Sequence, residues 1–115
     1  MTTVKAVLFR PGAKTPKWLD FRTAEADGTD LEELRRHIGC EWIEAVSIRG
    51  TDLTLWCDEE GMANYDASQT NSLLLPRWRL RGNALLTRCN MDNEGAIEAD
   101  VTAEDLEALK LAAAE

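Results

Sequence analysis

Hydrophobic and polar residues fall into short blocks along the chain, and the period of the pattern switches between two and about 3.6. Val4-Lys5-Ala6-Val7-Leu8-Phe9 is a nearly continuous apolar run with β-branched residues, the pattern of a buried strand, and Arg10-Pro11-Gly12 ends it in a turn. Trp18-Leu19-Asp20-Phe21-Arg22 alternates and predicts a second strand, antiparallel to the first. A polar loop follows. Asp30-Leu31-Glu32-Glu33 then has the form of a helix start, with Asp30 as the cap and Glu33 reaching back as in a capping box. Leu31, Leu34 and Ile38 share one face of that helix, and Gly39 stops it. A helix of about eight residues does not persist alone, so its leucine face must dock on a sheet.

Trp42–Ile48 and Leu53–Cys57 flank Gly50-Thr51-Asp52 and predict a hairpin, with Asp58-Glu59-Glu60-Gly61 as a further turn. Asp66 with Gln69 offers a second capping box, for a helix over Ala67 to Leu75 that Pro76 would end. Arg77 to Arg81 alternates charged and apolar residues and predicts a strand. Gly82-Asn83 then makes either a hairpin turn or a bulge in a longer strand running through Cys89. Asp92 to Gly95 is a loop, and Ala96 to Val101 a short edge strand. Thr102 with Asp105 caps a last helix whose face is Leu106, Leu109, Lys110 and Ala113. The sum is one α+β domain over residues 1–115. It has a mixed, mainly antiparallel sheet of about five to six strands and two or three short helices.

A chain of 115 residues with 44% hydrophobic and 30% charged residues is globular in composition, which excludes disorder and a membrane class. No apolar run approaches the roughly 20 residues of a membrane helix. Lys5 interrupts the only apolar stretch near the N-terminus, so no secretory signal is expected. Cys40, Cys57 and Cys89 lack the spacing of a zinc motif or a disulfide framework. They are expected to be buried, inert thiols in a reducing compartment, hence the cytoplasm.

The net charge of −8 is unevenly distributed. Residues 31–60 carry three basic and eight acidic side chains, and residues 91–115 one and eight, whereas residues 61–90 carry four arginines and one aspartate. Such a field repels a phosphate backbone, so neither bulk nucleic-acid binding nor a membrane partner is expected.

Candidate chemistry is sparse. His37, the single histidine, sits beside Arg35 and Arg36 with no nucleophile motif, and is expected to be an exposed helix residue. The carboxylates Glu32-Glu33, Asp58-Glu59-Glu60 and Asp92 with Glu94 lack the alternation of a calcium loop and are expected in solvated turns. No phosphate-binding glycine fingerprint is present. No catalytic residue, metal ligand or cofactor is therefore assigned.

The most informative constellation is Arg77-Trp78-Arg79-Leu80-Arg81. As a strand it aligns Arg77, Arg79 and Arg81 on one face and turns Trp78 and Leu80 to the core. Cross-strand pairing with acidic residues is one use of such a stripe. The other is a ligand or partner site at Arg77, Trp78, Arg79 and Arg81 for phosphate, a nucleotide or an acidic protein. Trp18, Trp42, Trp56 and Trp78 all fall in predicted strands, and an exposed one would mark a protein-binding surface.

The order of these motifs resembles the domain-of-unknown-function family 3846, small proteins encoded mostly by phages, plasmids and their bacterial hosts. The resemblance spans roughly residues 4–110. It rests on a strand ending in Pro11-Gly12, the Asp30-Leu31 helix ending in Ile38-Gly39, and Trp42-Ile43-Glu44. It continues through Cys57-Asp58-Glu59-Glu60-Gly61, Asn71, Arg81-Gly82-Asn83-Ala84-Leu85-Leu86 and Val101-Thr102-Ala103-Glu104-Asp105. Where the family pattern has Leu-Pro-x-Asn-Arg, this chain has Ala67-Ser68-Gln69-Thr70-Asn71. The family carries no catalytic residues to transfer. The resemblance implies a phage or mobile-element setting in a bacterial cytoplasm. The expected function is a non-enzymatic module that binds a host protein. The alternatives are a binder of a small anionic ligand such as a nucleotide, and an acidic mimic of DNA.

Overall fold

The computed structural model describes residues 3–22, 31–92 and 95–115. Six strands form one sheet: β1 (Thr3–Phe9), β2 (Lys17–Arg22), β3 (Ile43–Ser47), β4 (Leu53–Asp58), β5 (Ala84–Asp92) and β6 (Gly95–Ala99). Their order is β2-β1-β5-β4-β3, and β6 pairs with the second half of β5. Every pairing is antiparallel. The mixed sheet expected from the sequence is thus wholly antiparallel among the described residues. Three helices join it: α1 (Leu31–Ile38), the single turn α2 (Gly61–Asn64) and α3 (Ala103–Ala113).

The central strands are buried on both faces, so alternate residues feed two cores. Val7, Phe9, Leu53, Leu55, Ala84 and Leu86 meet Leu74, Leu106 and Leu109 on one side. Val4, Ala6, Leu8, Phe21 and Leu85 meet Leu34 and Ile38 on the other. Helix α1 therefore covers one face and α3 the opposite one. Topologically α1 links the edge strand β2 to the opposite edge strand β3.

Leu34 and Ile38 are buried as the helical spacing predicts, but Leu31 is 46% exposed, and Glu33 is buried in its place. The Glu33 carboxylate accepts the Arg22 backbone N–H (2.9 Å) and the Arg36 guanidinium (2.6 Å), which ties α1 to β2. Asp30, the expected cap, lies outside the described residues. Gly39 ends α1 in the left-handed region (φ 84°) and donates to the Arg35 carbonyl (2.8 Å). His37 is half-buried rather than exposed. Its ring stands 3.6 Å from Glu33 and 6.1 Å from the Phe21 ring. Only Cys57 of the three free thiols is fully buried, and the Cys40 and Cys89 residues are half-buried.

The expected helix over Ala67 to Leu75 does not form. Two single 3-10 turns replace it, Ala67–Gln69 and Ser72–Leu74, with Thr70 extended between them. The reason is tertiary. A continuous helix would commit the Asn71 N–H to the turn before it, whereas here it donates to the Leu80 carbonyl (2.8 Å). The Asn71 side chain is fully buried and donates to the carbonyls of Phe9 (2.9 Å) and Gly82 (3.1 Å). Asp66 caps the first turn as expected, accepting from the Ser68 backbone.

Arg77 to Arg81 is not a strand. Thr70 and Arg81 form an isolated bridge, and the rest is turn and extended coil. Gly82-Asn83 is neither a hairpin turn nor a bulge but a corner leading into β5. Gly82 takes φ 88° there, and a Cβ on it would come within 2.8 Å of the Tyr65 ring.

At the C-terminus the sequence reading holds closely. Thr102 and Asp105 form the reciprocal capping box, and Leu106, Leu109 and Ala113 are buried, although Lys110 is exposed. Arg88 of β5 grips Asp105 with two 3.0 Å bonds and so docks the first turn of α3 on the sheet.

Two expectations follow. Gly39→Ala meets only the left-handed penalty, about 1–2 kcal/mol, because the space around it is open. Gly82→Ala adds overpacking against Tyr65, about 1–3 kcal/mol more. Urea midpoints at constant slope measure the difference.

The second expectation concerns acid. Burial raises the Glu33 and Asp105 carboxyls, but their hydrogen bonds and arginine partners outweigh it and hold both below the ordinary range. Burial, then Arg36, lowers His37. All three are depressed in the folded state, so each contributes stability above its unfolded pKa and loses it as pH falls through the folded value. Stability should therefore drop in two stages on acidification, first below about 6.5 for His37 and then below about 4 for the carboxylates. Glu33→Gln with Asp105→Asn should flatten the second stage and, because the Glu33 carboxylate 3.6 Å away supports the charged His37 ring, deepen the first, as read from denaturation midpoints against pH.

Candidate functional site

The end of α1 and the end of β4 meet at one corner of the sheet. Gly39 turns the chain into Cys40-Glu41-Trp42, which leads into β3. Asp58 closes β4 opposite Ile43. The Glu59 N–H donates to the Trp42 carbonyl (2.8 Å), so the pairing runs one step beyond the two strands. The chain then turns through Glu60 into α2. Between these segments lies a cleft of about 380 Å³, walled by Cys40, Glu41, Trp42, Asp58, Glu60, Asn64 and Tyr65. That volume is at the small end for a ligand pocket. Glu41 and Trp42 also border a second depression of about 290 Å³, beside Arg35.

The electrostatics of the cleft are one-sided. Three carboxylates line it and no basic residue does. Asp58 is only 6% exposed. Its two oxygens accept from the Glu60 backbone N–H (2.8 Å) and the Asn64 amide (3.3 Å). The neighbours register its charge. Burial, then Asp58, pushes the Cys40 thiol up to about 11, with Arg35 opposing. Burial, then Asp58, also raises the Tyr65 phenol. A thiol held that high stays protonated at neutral pH and is a poor nucleophile. Above the cleft stands Trp42, 59% exposed.

The arginines singled out in the sequence are elsewhere and do not act together. Trp78 and Leu80 do pack against the core with Leu74 and Leu109. Arg77 and Arg79 are exposed, and among the described residues neither they nor Arg81 makes an ion pair. Arg81 instead donates to the carbonyls of Tyr65 (3.0 Å) and Met62 (3.3 Å). It holds the end of α2 and so the floor on which Tyr65 sits. No strand aligns the three guanidiniums. The acidic residues of α1 and those of α3 lie on opposite faces of the sheet rather than on one surface.

The sequence treated Asp58 as part of a solvated turn, and only Glu59 and Glu60 are exposed as that reading requires. Its place as the last residue of an alternating strand was the available signal. Tyr65 left none, because its role depends on Gly82 passing against its ring. The tryptophans divide. Trp56 is partly buried and its indole donates to Thr87 (2.8 Å), Trp78 packs on the core, and Trp18 and Trp42 are exposed.

These roles separate the arginines experimentally. Arg81→Ala should cost about 1 kcal/mol through its lost carbonyl bonds. Arg77→Gln and Arg79→Gln should stay within about 0.5 kcal/mol of the parent. Thermal or urea unfolding of the three variants checks the ranking.

Comparison with known proteins adds a family and nothing finer. No curated protein and no solved structure matches the chain. The family model for a domain of unknown function, DUF3846, matches residues 4–111. Of the motifs that carried the resemblance, Gly39, Trp42, Asp58 and Glu60 line the cleft, Gly61 lies against the Arg81 carbonyl, and Asn71 bonds Gly82. With nearly its whole length matched, the chain belongs to the DUF3846 family.

Proposed function

We propose that the protein is a non-enzymatic binding module that engages a protein of a bacterial host through the surface around Trp42. The observation that carries this reading is the 59% exposure of Trp42 in the wall of a cleft, next to β3, whose outer edge is unpaired among the described residues. Exposed tryptophan is expensive to leave in water and is the commonest anchor of protein interfaces. An unpaired strand edge beside it offers backbone donors and acceptors to a docking segment. The chemistry of the cleft supports binding over catalysis, since its thiol is protonated and its carboxylates have no histidine within the cleft wall. Three free thiols suit the reducing cytoplasm of such a host. The setting of phages, plasmids and their hosts that the resemblance implies fits a protein that works by occupying another.

The test is affinity capture from bacterial lysate with matched baits. The parent chain should retain a specific protein. Trp42→Ala should deplete it by about tenfold or more, while the double variant Arg77→Gln, Arg79→Gln retains it. A catch indifferent to Trp42 would sink the reading.

A further inference from the structure

We infer that the cleft beneath Trp42 takes a lysine or arginine side chain presented by the protein partner. The inference rests on the binding-module reading above and names the chemistry of its contact.

Three observations converge. The wall carries Glu41, Asp58 and Glu60 with no lysine or arginine among its residues, and the chain as a whole is at −8. Among the described residues none of these three carboxylates forms a salt bridge. For Glu41 and Glu60, both exposed, that is ordinary. For Asp58 it is not, because a carboxylate withdrawn this far from water is normally matched by a cation. Glu33, the other buried carboxylate among the described residues, has Arg36 at 2.6 Å. Asp58 has only a backbone N–H and an amide, and a carboxylate offers about four acceptor sites, so half its capacity remains.

Trp42 and Tyr65 supply the second element. Both residues line the same space, and aromatic faces attract ammonium and guanidinium groups. Aromatic walls over a buried carboxylate accept both the apolar stem and the charged tip of a long basic side chain. An anionic or purely apolar side chain would leave Asp58 uncompensated or worsen its repulsion. The neighbouring Arg35 donates its Nε to the Glu41 carbonyl (3.0 Å) and forms no salt bridge with Glu41, Asp58 or Glu60 among the described residues, so it does not fill the role from within the chain.

The test uses the whole protein, labelled with nitrogen-15, titrated with blocked amino acids. Acetyl-lysine amide and acetyl-arginine amide should shift the Trp42 indole and the amides of residues 40–42 and 58–65. Acetyl-norleucine amide, which keeps the stem and lacks the charge, should not. Asp58→Asn, which preserves the acceptor for Glu60, should weaken the response by about tenfold or more, with β5 resonances unmoved as the control for folding. Should Asp58→Asn disturb the fold, Glu41→Gln with Glu60→Gln on the exposed rim should weaken it by about threefold to tenfold, as should raised salt. Equal shifts with norleucine, or none at the cleft with either cation, overturn the inference. Trp42-dependent capture with no cation response leaves the binding module standing and removes only its chemistry. A cation response without any Trp42-dependent protein overturns the inference in favour of a free amine ligand.

Discussion

Everything in this fold follows from β5 being apolar on both faces. Ala84 and Leu86 look one way and Leu85 the other, and all three are fully buried. A sheet with two apolar faces must be covered twice. One helix is about 10 Å wide and shields roughly two strands. On the first face α1 packs Leu34 and Ile38 onto Val4, Ala6, Leu8, Phe21 and Leu85. On the second face α3 is not enough, and residues 61–82 are drawn in beside it. Asn71 secures that segment: its amide spans from Phe9 of β1 to Gly82 at the entrance to β5, at the cost of leaving its own Oδ1 buried without a partner among the described residues.

The cleft is a by-product of this double covering. The chain leaves α1 on one face and leaves β4 toward the other, and both exits occur at the same end of the β3–β4 pair. Two layers diverging from one edge leave a gap between them. What fills the gap is set by the residues at the exits, and these are acidic and aromatic. Asp58 sits where the strand stops and the second layer begins. It is therefore too far in for full solvation and too far out for the apolar core, and it takes its hydrogen bonds from the turn that follows it.

The two helices show how charge is used elsewhere in the molecule. Glu33 and Asp105 are each withdrawn from water and each bound to an arginine and to a backbone N–H. Both clamp a helix to the sheet. Against that pattern Asp58, which forms no salt bridge among the described residues, is the exception, and burial, then its charge, raises the Cys40 and Tyr65 groups around it.

Local chemistry was legible in the sequence wherever the deciding forces act over a few residues. The apolar runs of β1, β4 and β5, the Gly50 turn of the β3–β4 hairpin, the Gly39 stop and the Thr102–Asp105 box were all readable, because strand patterning, left-handed glycine and helix capping depend on near neighbours alone. Residues 61–82 were not. A helix over Ala67 to Leu75 satisfies every local rule, yet the Asn71 and Gly82 backbones bond across the segment instead, and Arg77 to Arg81 loses its strand with them. The arginine stripe existed only as a period-two pattern, and it vanished when Arg81 turned to the carbonyls of Met62 and Tyr65. The sequence by itself determined an α+β domain with a mainly antiparallel sheet and the identity of its apolar faces. Only the tertiary structure decided which carboxylate was buried, which tryptophan was left in water and that the two stand together, since burial is a property of how layers meet and not of any one stretch of chain.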